Sequence, residues 1–205
     1  MNSLNSFRKL VSNKSFGIEI ECFIDIEGAK RLPECCHSGF FYVTTDMSLS
    51  VRDYWTTHRF SREFVSQPLP ADWLHKEIWK LWKKSGGWET DDSCGTHVHV
   101  NRKWCPLAKA KAIYNAIKKL SDEQFKEIFG RYINKFCRVD VSIGETRYAA
   151  VNVENVATIE FRMFAGGNAQ WACYCVSMAK FMVENYNTLN YEQLLAARDM
   201  FLKNY

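Results

Sequence analysis

The 205 residues carry 27 Lys and Arg against 23 Asp and Glu, a formal net charge of +4, with 47% apolar and 15% aromatic residues. That is enough apolar matter for a real core, so the composition excludes disorder, and no apolar run approaches the roughly 18 residues of a membrane-spanning helix. The mild, evenly spread positive charge suits an anionic substrate and argues against a dedicated nucleic-acid surface.

Taken in order, residues 1–13 predict a short helix or arm with Phe7, Leu10 and Val11 on its apolar side, and without the apolar run of a signal peptide. Phe16 to Ile26 alternates as a first strand, and Glu27-Gly28 with Arg31 to Pro33 predicts a loop. A second strand follows at Phe40 to Thr45, a turn at Asp46 to Ser50, and a third strand at Ser61 to Ser66, ended by Pro68 and Pro70. Asp72 is placed to cap a helix through Trp73, Ile78, Trp79 and Trp82 that closes at Gly86-Gly87. Cys94 to Asn101 is the fourth strand, and Pro106 opens a helix to about Leu120. Ser121 to Gln124 is a capping box for a helix ending near Gly130. Tyr148 to Glu154 and Ala157 to Phe164 predict a hairpin turning at Asn155, and Gly166-Gly167-Asn168 breaks the chain before helices at about 170–187 and 191–203. Six strands with irregularly inserted helices predict an α+β domain, its sheet antiparallel and its helices on one face. The whole chain, 1–205, reads as one domain with an arm at 1–14 and C-terminal helices at 170–205.

Eight cysteines (22, 35, 36, 94, 105, 137, 173, 175) include no CxxC spacing. Most lie inside apolar patterns, where free thiols pack as small hydrophobes, and Cys35, Cys36 and His37 lack the partner motif of a zinc site. The expectation is a reduced, cytoplasmic protein.

Side chains alternate faces along a strand, so Ile18, Ile20 and Cys22 share one face and Glu19 and Glu21 the other, the carboxylates about 7 Å apart. Like charges that close, once partly buried, need a raised pKa or a cation. A solvated strand face would explain this stretch alone, but three later stretches repeat the design. In the fourth strand His97, His99 and Asn101 face away from Val98 and Val100. In Thr158 to Phe164, Glu160 and Arg162 face away from Ile159, Phe161 and Met163, either as a plain ion pair or as a carboxylate for a cation beside a guanidinium for phosphate. Glu63 points away from Phe64. Four carboxylates, two imidazoles and an arginine on one concave surface suit magnesium or manganese holding a nucleotide's phosphates, and no P-loop or dinucleotide fingerprint competes for that role. The His-x-His pair also occurs in metal-dependent TIM-barrel hydrolases, but this chain is too short for eight βα units.

The ordered motifs GIEIE, Asp46-x-Ser48, REFVSQPL, GTHVHVN and RYAAVNV…TIEFRMF, spread over residues 15–167, resemble the amidoligases, carboxylate–amine ligases of the glutamine synthetase and γ-glutamylcysteine synthetase superfamily. The resemblance implies a compact phage or bacterial member with a sheet curved into a half-barrel, binding ATP and Mg2+ (or Mn2+) on its concave side. It implies Glu19, Glu21, Glu63, His97 and Glu160 as metal ligands, and His97, His99, Asn152 and Arg162 at the nucleotide. Arg162, Arg131 and Arg147 would act on the transferring phosphoryl group. The implied reaction joins a carboxylate and an amine (amino acid, peptide or protein side chain) through an acyl phosphate, with a homo-oligomer or partner protein completing the acceptor site. A small-molecule phosphotransferase and a non-catalytic binding protein on the same scaffold are the rival readings, the first separable by a stable phosphorylated product. The run from Trp73 to Trp88 reads as core or interface, and Asp46 as a turn residue that could instead bind an amine or a metal.

Overall fold

The computed structural model describes residues 14–45 and 59–203. The predicted N-terminal helix or arm and the turn containing Asp46 and Ser48 lie outside the described residues. Ile18, Ile20 and Cys22 of β1 (Phe16–Ile24) are fully covered, and the strand sits at the centre of the sheet. It pairs antiparallel with β4 (Phe60–Ser66) on one side and β5 (Gly95–Asn101) on the other. With β2 (Cys36–Ser38), β3 (Phe41–Thr44), β6 (Val151–Asn152) and β7 (Thr158–Ala165) the order is β2-β3-β4-β1-β5-β7-β6, every strand pairing antiparallel.

Among the described residues six helices accompany the strands: α1 (Ile26–Arg31), α2 (Ala71–Ser85), α3 (Leu107–Ile117), α4 (Asp122–Phe129), α5 (Ala169–Glu184) and α6 (Tyr191–Lys203). Leu74, Ile78, Ile113, Ile117, Phe125 and Met178 from four of these helices join one core with Ile20, Val98 and Phe161 from the strands. Burial of such side chains, at about 25 cal/mol per Å2 of apolar surface, is what holds helices to a sheet. The opposite faces of β1, β5 and β7 are thereby left to carry polar groups.

Among the described residues the sheet has seven strands rather than six. The extra one, β2, is three residues long and is followed by Gly39, whose φ of +61° turns the chain towards β3. The predicted loop at Glu27-Gly28 is instead the short helix α1. Asp25 caps it by accepting from the Gly28 N–H at 2.6 Å, so β1 ends at Ile24. Asp72 caps nothing: Pro70 is the N-cap of α2, and Asp72 lies in the first turn, where its charge suits the helix dipole. The predicted strand at Tyr148 to Glu154 pairs with β7 only at Val151 and Asn152, because Ala149 is taken by a parallel bridge to Arg138. Asn155 does turn the chain, its Oδ1 accepting from the N–H groups of Ala157 and Thr158. The capping box forms as read, Ser121 Oγ accepting from the Gln124 N–H while Gln124 Oε1 accepts from the Ser121 N–H. All eight cysteines are free. The tryptophan run divides: Trp88 is buried against Trp82, while Trp73 and Trp79 are exposed.

A carboxylate–histidine–arginine cavity

The strand registers assemble the site. Glu19 stands opposite His97 across β1 and β5, Glu21 opposite Glu63 across β1 and β4, and His99 opposite Glu160 across β5 and β7. The β5–β7 register shifts between Thr96 and Val98, where β7 bulges so that Arg162 and Met163 stand against the single residue His97. His97 is buried, with Nδ1 3.3 Å from Glu19 Oε2 and 3.5 Å from Glu160 Oε1, and Nε2 3.7 Å from Glu21 Oε1. One imidazole therefore meets three of the four carboxylates. His99 Nε2 lies 3.0 Å from Glu19 Oε1 and its Nδ1 3.3 Å from Thr158 Oγ1.

Around this centre Glu19, Glu21, Glu63, Ser93, His97, Arg131, Phe136, Arg147, Tyr148 and Arg162 line a cavity of about 230 Å3. Seven of the ten residues that the sequence singles out thus line the cavity, and Glu160 adjoins it. Glu160 is buried at its edge, joined to Arg162 Nη1 and accepting from Asn152 Nδ2 at 2.8 Å. Asn152 Oδ1 accepts from the Glu154 N–H, so this side chain orients Glu160 rather than facing the cavity. His99 and Asn152 are the two outside it: His99 opens onto a neighbouring, more apolar cleft with Gly17, Ser66 and Asn101.

Burial works to raise the Glu19 carboxyl, but hydrogen bonds and charge from His97 and His99 outweigh it and hold the group well below the usual carboxylate range. Burial would lower His99, yet the bond to Glu19 and the charges of Glu19 and Glu160 raise it overall. The site therefore stabilises negative oxygens beside donor nitrogens. Ligand atoms of Glu19, His97 and Glu160 all lie within 4.8 Å of one another, the one such convergence among the described residues. Carboxylate oxygens with a single imidazole fit a hard divalent cation such as magnesium or manganese. Phosphate fits as well: three arginines face the cavity, and the buried Nε and Nη2 of Arg131 have no hydrogen-bond partner among the described residues.

Sequence reasoning did not single out Gly95, Ser93, Phe136 or Tyr148. Phe136 and Tyr148 pack edge to face at 6.1 Å, and Tyr148 lies under the guanidinium groups of Arg147 and Arg162 at 5.3 and 5.9 Å. The Gly95 N–H donates to Glu21 Oε2 at 2.6 Å. A Cβ on residue 95 would stand 2.9 Å from His97 Nε2, 3.1 Å from Arg131 Nη1 and 3.2 Å from Glu21 Oε2. A glycine opening the His-x-His strand was the signal. Gly95→Ala is expected to displace His97 and Glu21 together and weaken Mn2+ binding about ten- to a hundred-fold, as loss of a ligand-orienting contact does, with cooperative melting retained. Calorimetric Mn2+ titration checks it, and an unchanged affinity would remove Gly95 from the site.

The sequence profile of the family described as "Putative amidoligase enzyme" matches residues 37–142, just over half of the chain. The matched span holds Glu63, His97, His99 and Arg131, while β1 and β7 complete the cavity from either side of it. No curated protein matches the chain.

Proposed function

The chain belongs to the amidoligase family, and from that premise we propose that it is an ATP- and magnesium-dependent carboxylate–amine ligase. The observation that carries the reading is the convergence of four carboxylates, His97 and three arginines on one cavity of the open, antiparallel sheet. That arrangement also supports a glutamine-synthetase-like half-barrel as the fold. In the proposed reaction a substrate carboxylate oxygen bonds to the γ-phosphorus of ATP as the bond to the ADP oxygen breaks, ADP leaving with the electron pair. The amine nitrogen then bonds to the acyl carbon, phosphate leaves, and the surplus ammonium proton passes to solvent.

Glu19, Glu21, Glu63, His97 and Glu160 would hold magnesium, which would offset the phosphate charge. Arg162 and Arg147 supply fixed positive charge at the cavity, Arg162 locked in direction by Glu160 and by the Phe136 carbonyl. Preorganised charge of this kind carries most of the catalysis in phosphoryl transfer. Asn152 keeps the Glu160 carboxylate turned inward.

Calorimetric titration of ATP, with and without magnesium, into the wild type and a Glu19→Gln/Glu21→Gln variant tests the reading. Magnesium-dependent binding is expected in the wild type and absent from the folded variant. Binding that ignores both magnesium and the substitutions would overturn the metal site. ADP formed with a stable phosphorylated product and no amide would transfer the protein to the phosphotransferases.

A further inference from the structure

Arg131 stands on a wall shared by two cavities. On one side is the carboxylate–histidine cavity; on the other is a cleft of about 430 Å3 whose lining includes Thr90, Asp91, Asp92, Tyr132 and Asn134. That volume lies within the range of small-molecule sites. Gly130 closes α4 with a φ of +78°, and this left-handed turn swings the next residue back under the sheet. There Arg131 is 9% exposed. Its Nη1 reaches the Phe164 carbonyl at a long 3.5 Å, and Nε and Nη2 reach no partner among the described residues. A guanidinium cannot shed its charge by losing a proton, so buried, unused donors on it call for an anion.

The same cleft also carries the opposite sign. Asp91 and Asp92 are both exposed on the loop before β5. Asp91 Oδ1 accepts from the Ser93 N–H at 2.8 Å and from Ser93 Oγ, which fixes the loop. Asp92 has neither a hydrogen bond nor an ion pair among the described residues. The remaining cation, Lys126, lies over the Tyr132 ring at 4.3 Å. A polyphosphate entering here would meet two carboxylates, so the second cleft does not suit the nucleotide. A molecule with an anionic and a cationic end suits a lining that carries both signs.

We propose that this cleft binds an α-amino acid as the acid substrate, its carboxylate on Arg131 and its ammonium group against Asp91 and Asp92. The proposal rests on the ligase reading, because it puts that carboxylate on the wall behind which Arg147 and Arg162 are available to phosphate. Arg131 is then the group that both reactants touch.

The test uses the full chain and calorimetry with each of the twenty protein amino acids, then with the N-acetyl and carboxamide derivatives of the best binder. Loss of either charge from the ligand is expected to weaken binding about ten-fold or more, as charged hydrogen bonds do. In Asp92→Asn, a surface change that spares the fold, the preference for the free over the N-acetylated acid is expected to shrink, while Arg131→Lys weakens both. Magnesium-dependent ATP binding without any amino-acid binding, or with equal binding of the N-acetyl form, would overturn the cleft assignment alone. Absence of magnesium–ATP binding would overturn the ligase reading and this proposal with it.

Discussion

Glu160→Gln is expected to lower Mn2+ affinity by at least about a hundred-fold and ADP formation by about a thousand-fold, in a protein that still melts cooperatively. The substitution keeps the shape of the side chain and the bond from Asn152 Nδ2, so the change is one of charge and ligand quality. Glu160 sits 3.5 Å from His97 and is bonded to Arg162, which allows two explanations of its burial. As half of a structural ion pair, its loss would strand Arg162 and cost about 3–5 kcal/mol of stability while sparing metal affinity. As a ligand, its loss would show first in the metal titration. Urea unfolding beside the Mn2+ titration separates them, and destabilisation at full Mn2+ affinity would sink the metal role.

Phe164→Ala is expected to cost about 3–5 kcal/mol, with a melting temperature lower by on the order of 10 °C. The ring is fully buried, edge on to Phe129 at 5.5 Å and to Tyr174 at 6.4 Å, so it ties β7 to α4 and α5. No small rearrangement fills a hole walled by two aromatic rings and the sheet. Residue 164 pairs with Thr96 beside the bulge, and its carbonyl accepts from Arg131, so the same change loosens both His97 and the guanidinium. Equilibrium urea unfolding measures the loss. A cost under about 1 kcal/mol would mean that the three rings do not act as one packed unit.

What the sequence revealed best was whatever repeats with period two. Glu19 with Glu21, His97 with His99, and Glu160 with Arg162 each face the polar side of a strand whose other side is core, and the pattern alone places them there. Glu63 follows the same alternation, facing away from Phe64, whereas Arg131 could be named from a motif but not positioned. Arg131 reaches the cavity through a left-handed turn at Gly130, a tertiary fact with no periodicity. The helix at Ile26 to Arg31 escaped because six residues with an internal glycine carry too little pattern, and its cap, Asp25, reads equally as a strand end. The strand at Tyr148 to Glu154 was overdrawn because Arg138 competes for Ala149, a pairing that local propensity cannot see. Gly95 looked like an ordinary strand terminus, since only the assembled sheet shows what a methyl group would strike there.

The position of β1 at the centre of the sheet has a consequence for how the chain leaves the ribosome. β1 emerges before both of its neighbours, β4 and β5, and must wait with two open edges. An apolar, β-prone segment such as Phe16 to Ile24 held in that state invites pairing with other nascent chains. Glu19 and Glu21, spaced along it, make such pairing repulsive. Until the later strands arrive, the two carboxylates act as gatekeepers against aggregation.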